Sequence, residues 1–311
     1  RQAGAMETFF KLKMEAQTFA GARDSVLLPP DYLRACVLRI VSYALAIACL
    51  QLICHIAVRR HTVSGSGLNS TETGSDIVLM NSFQLTNFFV NLCLGGWGIW
   101  WWFFVLPSGC SDSEKIGDPI SVEDSRCLSP PFFAEFQLAY QLWGIPLCIA
   151  VGESSAMMGH HSFVAVLASL GSTLVASPRY FCVYFFGVVE ASSVFLAIMN
   201  AFKSRPEWIK AMPRIFAASK LIFSAAFFLT RIVLWIPVLY DFWGIAWDIG
   251  TSRGEENPLY YVLMGAVFSP VIFLTVLQLF WAGKIVNGLV KMTNRPTDSG
   301  WETGLSTKKI R

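Results

Sequence analysis

Seven apolar stretches dominate this 311-residue chain, at roughly 33–58, 82–105, 132–152, 157–176, 180–200, 215–240 and 259–287. Each is close to or beyond the about 20 residues that a helix needs to cross a bilayer. Hydrocarbon offers no partner to a backbone amide, so every such stretch is expected to be helical. Composition points the same way: 54% of residues are hydrophobic, 14% are charged, and the mean hydropathy is +0.51. A soluble chain carries about a quarter charged residues. The expected fold class is therefore an all-α integral membrane protein with seven transmembrane helices. No stretch between the spans is long enough for an independent soluble domain. No internal repeat speaks for an inverted-repeat transporter. A net charge of +3 does not suggest a nucleic-acid partner.

The flanking segments set the orientation. Residues 1–31 mix Phe9, Phe10, Leu12, Met14 and Phe19 with Lys11, Lys13 and Arg23, which reads as an interfacial amphipathic segment ended by Pro29-Pro30. The chain opens on Arg1 rather than Met, as expected of a processed or partial chain, and no signal peptide is recognisable. Residues 32–81 hold the first span and a basic loop with Arg59 and Arg60; residues 292–311 form a basic tail. With seven spans, those groups share one face with Lys203, Arg205, Lys210 and Arg214. The opposite face carries the acidic loop "SGCSDSEKIGDPISVEDSRCLS". The positive-inside rule places the basic face, and the carboxyl terminus, in the cytosol.

Two details fit that orientation. Cys110 and Cys127 share the acidic loop, where a disulfide can persist, whereas the other six cysteines lie in apolar segments. The chain also stops at "KKIR", which resembles a dilysine retrieval signal and points to the endoplasmic reticulum, with another organelle membrane as the alternative. The sequon at Asn69 falls on the cytosolic side and is expected to carry no glycan.

Ionisable residues within spans are functional candidates by default. Glu190 and Arg231 lie at equal expected depth, near the midplane, on consecutive helices, which suggests an ion pair. A structural clamp explains such a pair as readily as a functional cavity does. Nearer the basic face lie His160 and His161, Glu153 and Lys220. Gln84, Asn87 and Asn91 share one helical face, while Gln137 and Gln141 repeat the pattern and Gln278 adds to it. Converging stripes imply a central polar cavity, although interhelical hydrogen bonds of about 0.6–2 kcal/mol explain any single stripe. Adjacent histidines project about 100° apart and chelate poorly, so no metal is expected. The run "WGIWWWFF" at 97–104 reads as an interfacial aromatic belt.

An ordered set of these features resembles the TLC domain, found in TRAM proteins, Lag-type ceramide synthases and CLN-type proteins. The set comprises Gly159-His160-His161, "EASSVFLAIMN" at 190–200, "FFLTRIVLWIP" at 227–237, and "LQLFWAGKIVNGLVK" at 277–291 with Trp281. The resemblance implies six helices, within residues 82–291, around a lipid-accessible cavity that the histidines face. Ceramide synthases carry a Thr where this chain has Val164. Their His-Asp-x-Ser-Asp stretch corresponds here to Val189-Glu190-Ala191-Ser192-Ser193, which is closer to the shorter TLC-domain proteins.

Three functions follow. One is acyl transfer from acyl-CoA, as co-substrate, to a lipid amine or hydroxyl. His160 or His161 would be base or nucleophile, Glu190 would orient it, and Arg231, Asn87, Asn91, Gln278, Trp281 and Lys220 would bind substrate. No bound cofactor is implied. The second is non-catalytic lipid binding or sensing. The third is an accessory subunit with membrane-protein partners. A span beginning near 157 leaves Glu190 about 12–15 Å below the histidines, and only a start near Ser154 brings the two layers together.

Overall fold

The computed structural model describes residues 30–65, 72–106, 131–174 and 179–293. The acidic loop with Cys110 and Cys127, the Asn69 sequon, the amino-terminal segment and the "KKIR" tail lie outside these residues. Among the described residues the regular elements are helices: α1 (Pro30–Gly65), α2 (Glu72–Trp100), α3 (Phe132–Ala150), α4 (Ser155–Thr173), α5 (Arg179–Val183), α6 (Glu190–Lys203), the short α7 (Pro206–Ala211), α8 (Pro213–Phe228), α9 (Trp235–Glu256) and α10 (Leu259–Thr293). Three π-helical turns interrupt or end them, at Trp101–Val105, Tyr184–Val188 and Leu229–Val233.

Each of the seven expected spans is helical. Among the described residues, five segments are long and apolar enough to cross a membrane: Pro30–His61, Ser75–Val105, Tyr180–Lys203, Pro213–Ser252 and Leu259–Lys291. The other two, α3 and α4, have 19 residues each. At about 1.5 Å per residue that still matches a hydrocarbon core of about 30 Å. α3 and α4 bury the polar side chains Glu135, Gln137, Gln141 and His161. Such groups are tolerable at this depth because both helices sit against other protein rather than lipid.

Six spans close into a ring. In order around it, α2 packs on α6, α6 on α8, α8 on α10, α10 on α4, α4 on α3, and α3 on α2. The α8–α10 and α2–α3 seams are sparse. α1 lies outside the ring against α2 and α3.

Local chemistry fixes the helix ends that matter for the interior. α3 ends on Val151 and Gly152, whose φ of 72° is the left-handed conformation glycine adopts without strain. The amide of Gly152 donates to Ile149 O (3.2 Å) and that of Glu153 to Cys148 O (2.9 Å), a Schellman closure. Ser154 then caps α4, its Oγ accepting from the Met157 amide. The histidine-bearing span therefore starts at Ser155 rather than near 157, and His160 lies about 7–8 Å inside the helix.

The sixth span also runs further than expected. The expected span ends near 240, yet α9 continues to Glu256. Phe242 and Ile245 explain this, since they bury against Val267, Phe268 and Val271 of α10. Asn257 then starts α10 by accepting the Leu259 amide on its side chain.

α2 and the π turn before α6 approach closely. A Cβ on Gly98 would stand 2.4 Å from the Gly187 carbonyl carbon, and one on Gly95 would stand 2.7 Å from the Ala191 amide nitrogen. Two glycines one turn apart thus let α2 seat directly against the backbone that presents Glu190. Of the aromatic run, Trp97, Trp100 and Phe104 are exposed as a belt requires. Trp102 instead turns inward onto Tyr180 and Tyr184, with ring centroids 5.4 and 5.0 Å away.

Candidate functional site: a polar cavity between four helices

A cavity of about 510 Å³ opens between α4, α6, α8 and α10. Its inner end is formed by His160, Ser192, Ser193 and Arg231, its sides by Leu196, Met199, Phe223, Phe227 and Leu289, and its outer end by Glu153, Lys203, Lys220 and Lys284. Both banks of the sparse α8–α10 seam line it.

The inner end is organised by Arg231, which the π turn Leu229–Val233 swings into the bundle. Its Nε donates to Ser192 Oγ (2.9 Å) and its Nη2 to Ser193 Oγ (3.0 Å). Nη2 also lies 3.6 Å from Glu190 Oε2, so the pair expected from depth is present and buried. Gln137 Nε2 donates to the other Glu190 oxygen at 3.4 Å. The second π turn, Tyr184–Val188, sets Glu190 at the first position of α6. The two π turns touch directly through Tyr184, whose hydroxyl donates to Thr230 O at 2.6 Å. A π turn releases a backbone carbonyl from the ordinary ladder, and Tyr184 occupies one of them.

The two histidines part company. His161 is buried, and its Nδ1 pairs with Gln141 Oε1. It borders an adjoining chamber of about 60 Å³, lined also by His160 and Glu190, together with Gln84, Asn87, Asn91 and Tyr140, where the Tyr140 hydroxyl donates to Asn87 Oδ1 at 2.9 Å. His160 lines the main cavity. Its ring stands 5.4 Å from that of Trp281, and its buried Nδ1 has no hydrogen-bond partner among the described residues. No acid hydrogen-bonds either imidazole among the described residues; Glu190 is engaged by Arg231 and Gln137 instead.

The separation between histidine and Glu190 layers disappears. A void of about 20 Å³ is bordered by His160, Glu190, Arg231, Trp235 and Gln278 together. The earlier start of α4 accounts for about 3 Å of that separation. Of the residues singled out from sequence, His160, Arg231, Lys220 and Trp281 meet in the main cavity; Asn87, Asn91 and His161 line the smaller chamber with His160 and Glu190, and Gln278 borders the small void with His160, Glu190 and Arg231.

Several partners were not foreseen from sequence. Ser192 and Ser193 as Arg231 acceptors, and Lys203 and Lys284 at the outer end, depend on helix rotation. A second intramembrane ion pair was legible by the logic that found the first. Arg39 and Glu135 stand a few residues inside parallel spans 1 and 3, and they form a two-pronged bridge at 2.7 Å on each arm. Glu135 is fully buried there, and Arg39 stacks beside Tyr32.

Fold and cavity together define a multi-pass, all-α membrane protein with a largely apolar chamber, polar at both ends, inside its helix ring. A family model for the TLC domain, of the TRAM, Lag and CLN type, matches residues 84–287, and the chain belongs to that family. Membership makes it a membrane protein related to lipid metabolism or sensing. No curated protein and no solved structure matches the chain.

Proposed function

We propose that this protein binds a membrane amphiphile in the main cavity, with the tails reaching it through the α8–α10 seam. One observation carries this reading: a single chamber joins a buried polar cluster (His160, Ser192, Ser193, Arg231) to an apolar wall and a charged outer end. Ligand pockets typically pair apolar walls with a few convergent polar groups in this way. The test is lipid retention. Purified full-length protein should carry co-extracted lipid, and Leu196→Trp, which fills the chamber, should lose it. Equal lipid content in the two proteins would refute the cavity.

A second reading, acyl transfer, draws on the unpartnered Nδ1 of His160. In that reaction His160 takes the proton of a lipid amine or hydroxyl as it attacks the thioester carbonyl of acyl-CoA. The carbon–sulfur bond breaks, and the imidazolium returns the proton to the departing CoA thiolate. Arg231 and the two serines would hold the acceptor. Glu190 is engaged by Arg231 and Gln137, and among the described residues no carboxylate hydrogen-bonds the imidazole. This reading therefore expects His160→Ala to abolish acyl-CoA turnover while His161→Ala spares it. Turnover unaffected by His160→Ala would leave the binding reading alone. The reading extends to a cytosolic basic face and residence in the endoplasmic reticulum, and protease protection of a tagged carboxyl terminus tests both the side and the membrane.

A further inference from the structure

His160 sits at the junction of the main cavity, the adjoining chamber and the void of about 20 Å³. Three residues bordering that void each keep a buried polar atom with no hydrogen-bond partner among the described residues: His160 Nδ1, Trp235 Nε1 and Gln278 Oε1. Each such atom is costly, because burial removes the water that would otherwise satisfy it. The other polar groups on the border, Glu190 and Arg231, hold each other, with Gln137, Ser192 and Ser193 as further partners. The remaining wall is apolar, with Val164, Val189, Val271 and Leu274. A single water needs about 10–15 Å³ and two to four polar partners, and the void meets both conditions. Trp235 can only donate and the Gln278 oxygen can only accept, so the completing group must do both. A water oxygen does so, accepting from Trp235 and giving one hydrogen to Gln278 Oε1. Its second hydrogen goes to His160 Nδ1, since the opposite tautomer would leave that hydrogen unmatched against an apolar wall. A neutral imidazole that accepts at Nδ1 carries its proton on Nε2, the nitrogen left to meet a guest.

We propose that one ordered water ties His160 Nδ1 to Gln278 and Trp235, and that His160 thereby donates from Nε2 to a carbonyl of the bound amphiphile. Gln278 and Trp235 are then positioning residues that act through His160. The assignment rests on the lipid-binding reading above and names the group recognised at the inner end of the cavity. Arg231 and Glu190 balance in charge there, so the inner end offers donors without net charge. A neutral acceptor, an ester or amide carbonyl, matches such an end better than a phosphate or an ammonium does. Acyl transfer would instead require the same Nε2 to begin without its proton, so the two readings separate at this nitrogen.

Solid-state NMR tests the bridge on the full chain, with histidine isotope-labelled at both ring nitrogens and the protein reconstituted in phosphatidylcholine vesicles. The chain has four histidines, and the signals lost in His160→Ala are those of His160. Nδ1 should be the unprotonated nitrogen, at a hydrogen-bonded shift, and Nε2 should carry the proton. Gln278→Met, which keeps the volume but loses the acceptor, should move the Nδ1 signal towards its unbonded position or populate the second tautomer. Trp235→Phe should do the same independently, so either folded variant decides, and the His161 signals should stay in place. A protonated Nδ1 in the native chain would overturn the tautomer and the donor role with it. Native His160 signals in both variants would overturn the bridge. Carbonyl recognition is tested in nonionic detergent by comparing dioctanoylglycerol with its dioctyl ether analogue, which lacks the carbonyls. The ester should bind about fivefold more tightly, and the difference should shrink to within about twofold in His160→Ala. Equal binding of ester and ether by the native chain would overturn carbonyl recognition, and a preference that survives His160→Ala would overturn its assignment to His160. Failure of both probes to bind would overturn the lipid-binding reading, while the nitrogen spectra, which need no added guest, still decide the bridge.

Discussion

At the scale of single residues, the interior is organised around Arg231. A guanidinium inside a membrane bundle is tolerable only when its donors are met, and Glu190, Ser192 and Ser193 meet them. Removing one partner strands the other charge, so Arg231→Leu should destabilise by about 3–5 kcal/mol. The double change Arg231→Leu/Glu190→Leu should recover much of that loss; thermal unfolding in detergent measures both. The histidines should separate in the same assay. His161→Ala leaves buried Gln141 short of a partner and should cost about 1–3 kcal/mol. His160→Ala breaks no hydrogen bond within the described residues, so its effect should appear in ligand binding before stability. The pairing of Glu190 with Arg231 was readable from depth alone, because distance along a helix converts directly to distance across the membrane. The different partners of His160 and His161 were not, because 100° of rotation separates neighbours that share one depth.

At the scale of elements, glycine positions decide how the helices seat. Gly98→Ala would drive a methyl group into the backbone at Gly187 and should destabilise by about 1–3 kcal/mol through displacement of α2. Because the same contact holds the π turn before Glu190, that variant should also weaken lipid retention. Gly152→Ala forces a side chain into the left-handed region and should cost about 1–2 kcal/mol, loosening the turn that presents Glu153 to the cavity. Thermal midpoints and lipid content of the two variants check these expectations. Helix identity was legible at this scale because apolar length suffices to establish it. The π turns were not, since an extra residue in a turn leaves no mark on hydropathy. The extension of α9 was hidden for another reason: beyond 240 it depends on Phe242 and Ile245 burying against α10.

At the scale of the whole molecule, α1 stands outside the six-helix ring and is tied to it by Arg39 and Glu135. Arg39→Leu leaves a fully buried carboxylate unpaired, with an expected loss of about 2–4 kcal/mol, tempered by the partial exposure of Arg39. Limited proteolysis should then release α1 before the ring unfolds, whereas cleavage at native rates would show that packing alone holds it. By itself, the sequence determined that the chain crosses the membrane as a series of helices and which polar groups lie within them. Both follow from the cost of exposing amides and charges to hydrocarbon, a property local to each segment. The tertiary structure alone decided which groups share a chamber: His160 with Arg231, His161 with Gln141, and three lysines from three helices on one rim. Those pairings depend on the rotation and neighbours of each helix, which are settled by contacts between residues far apart in the chain.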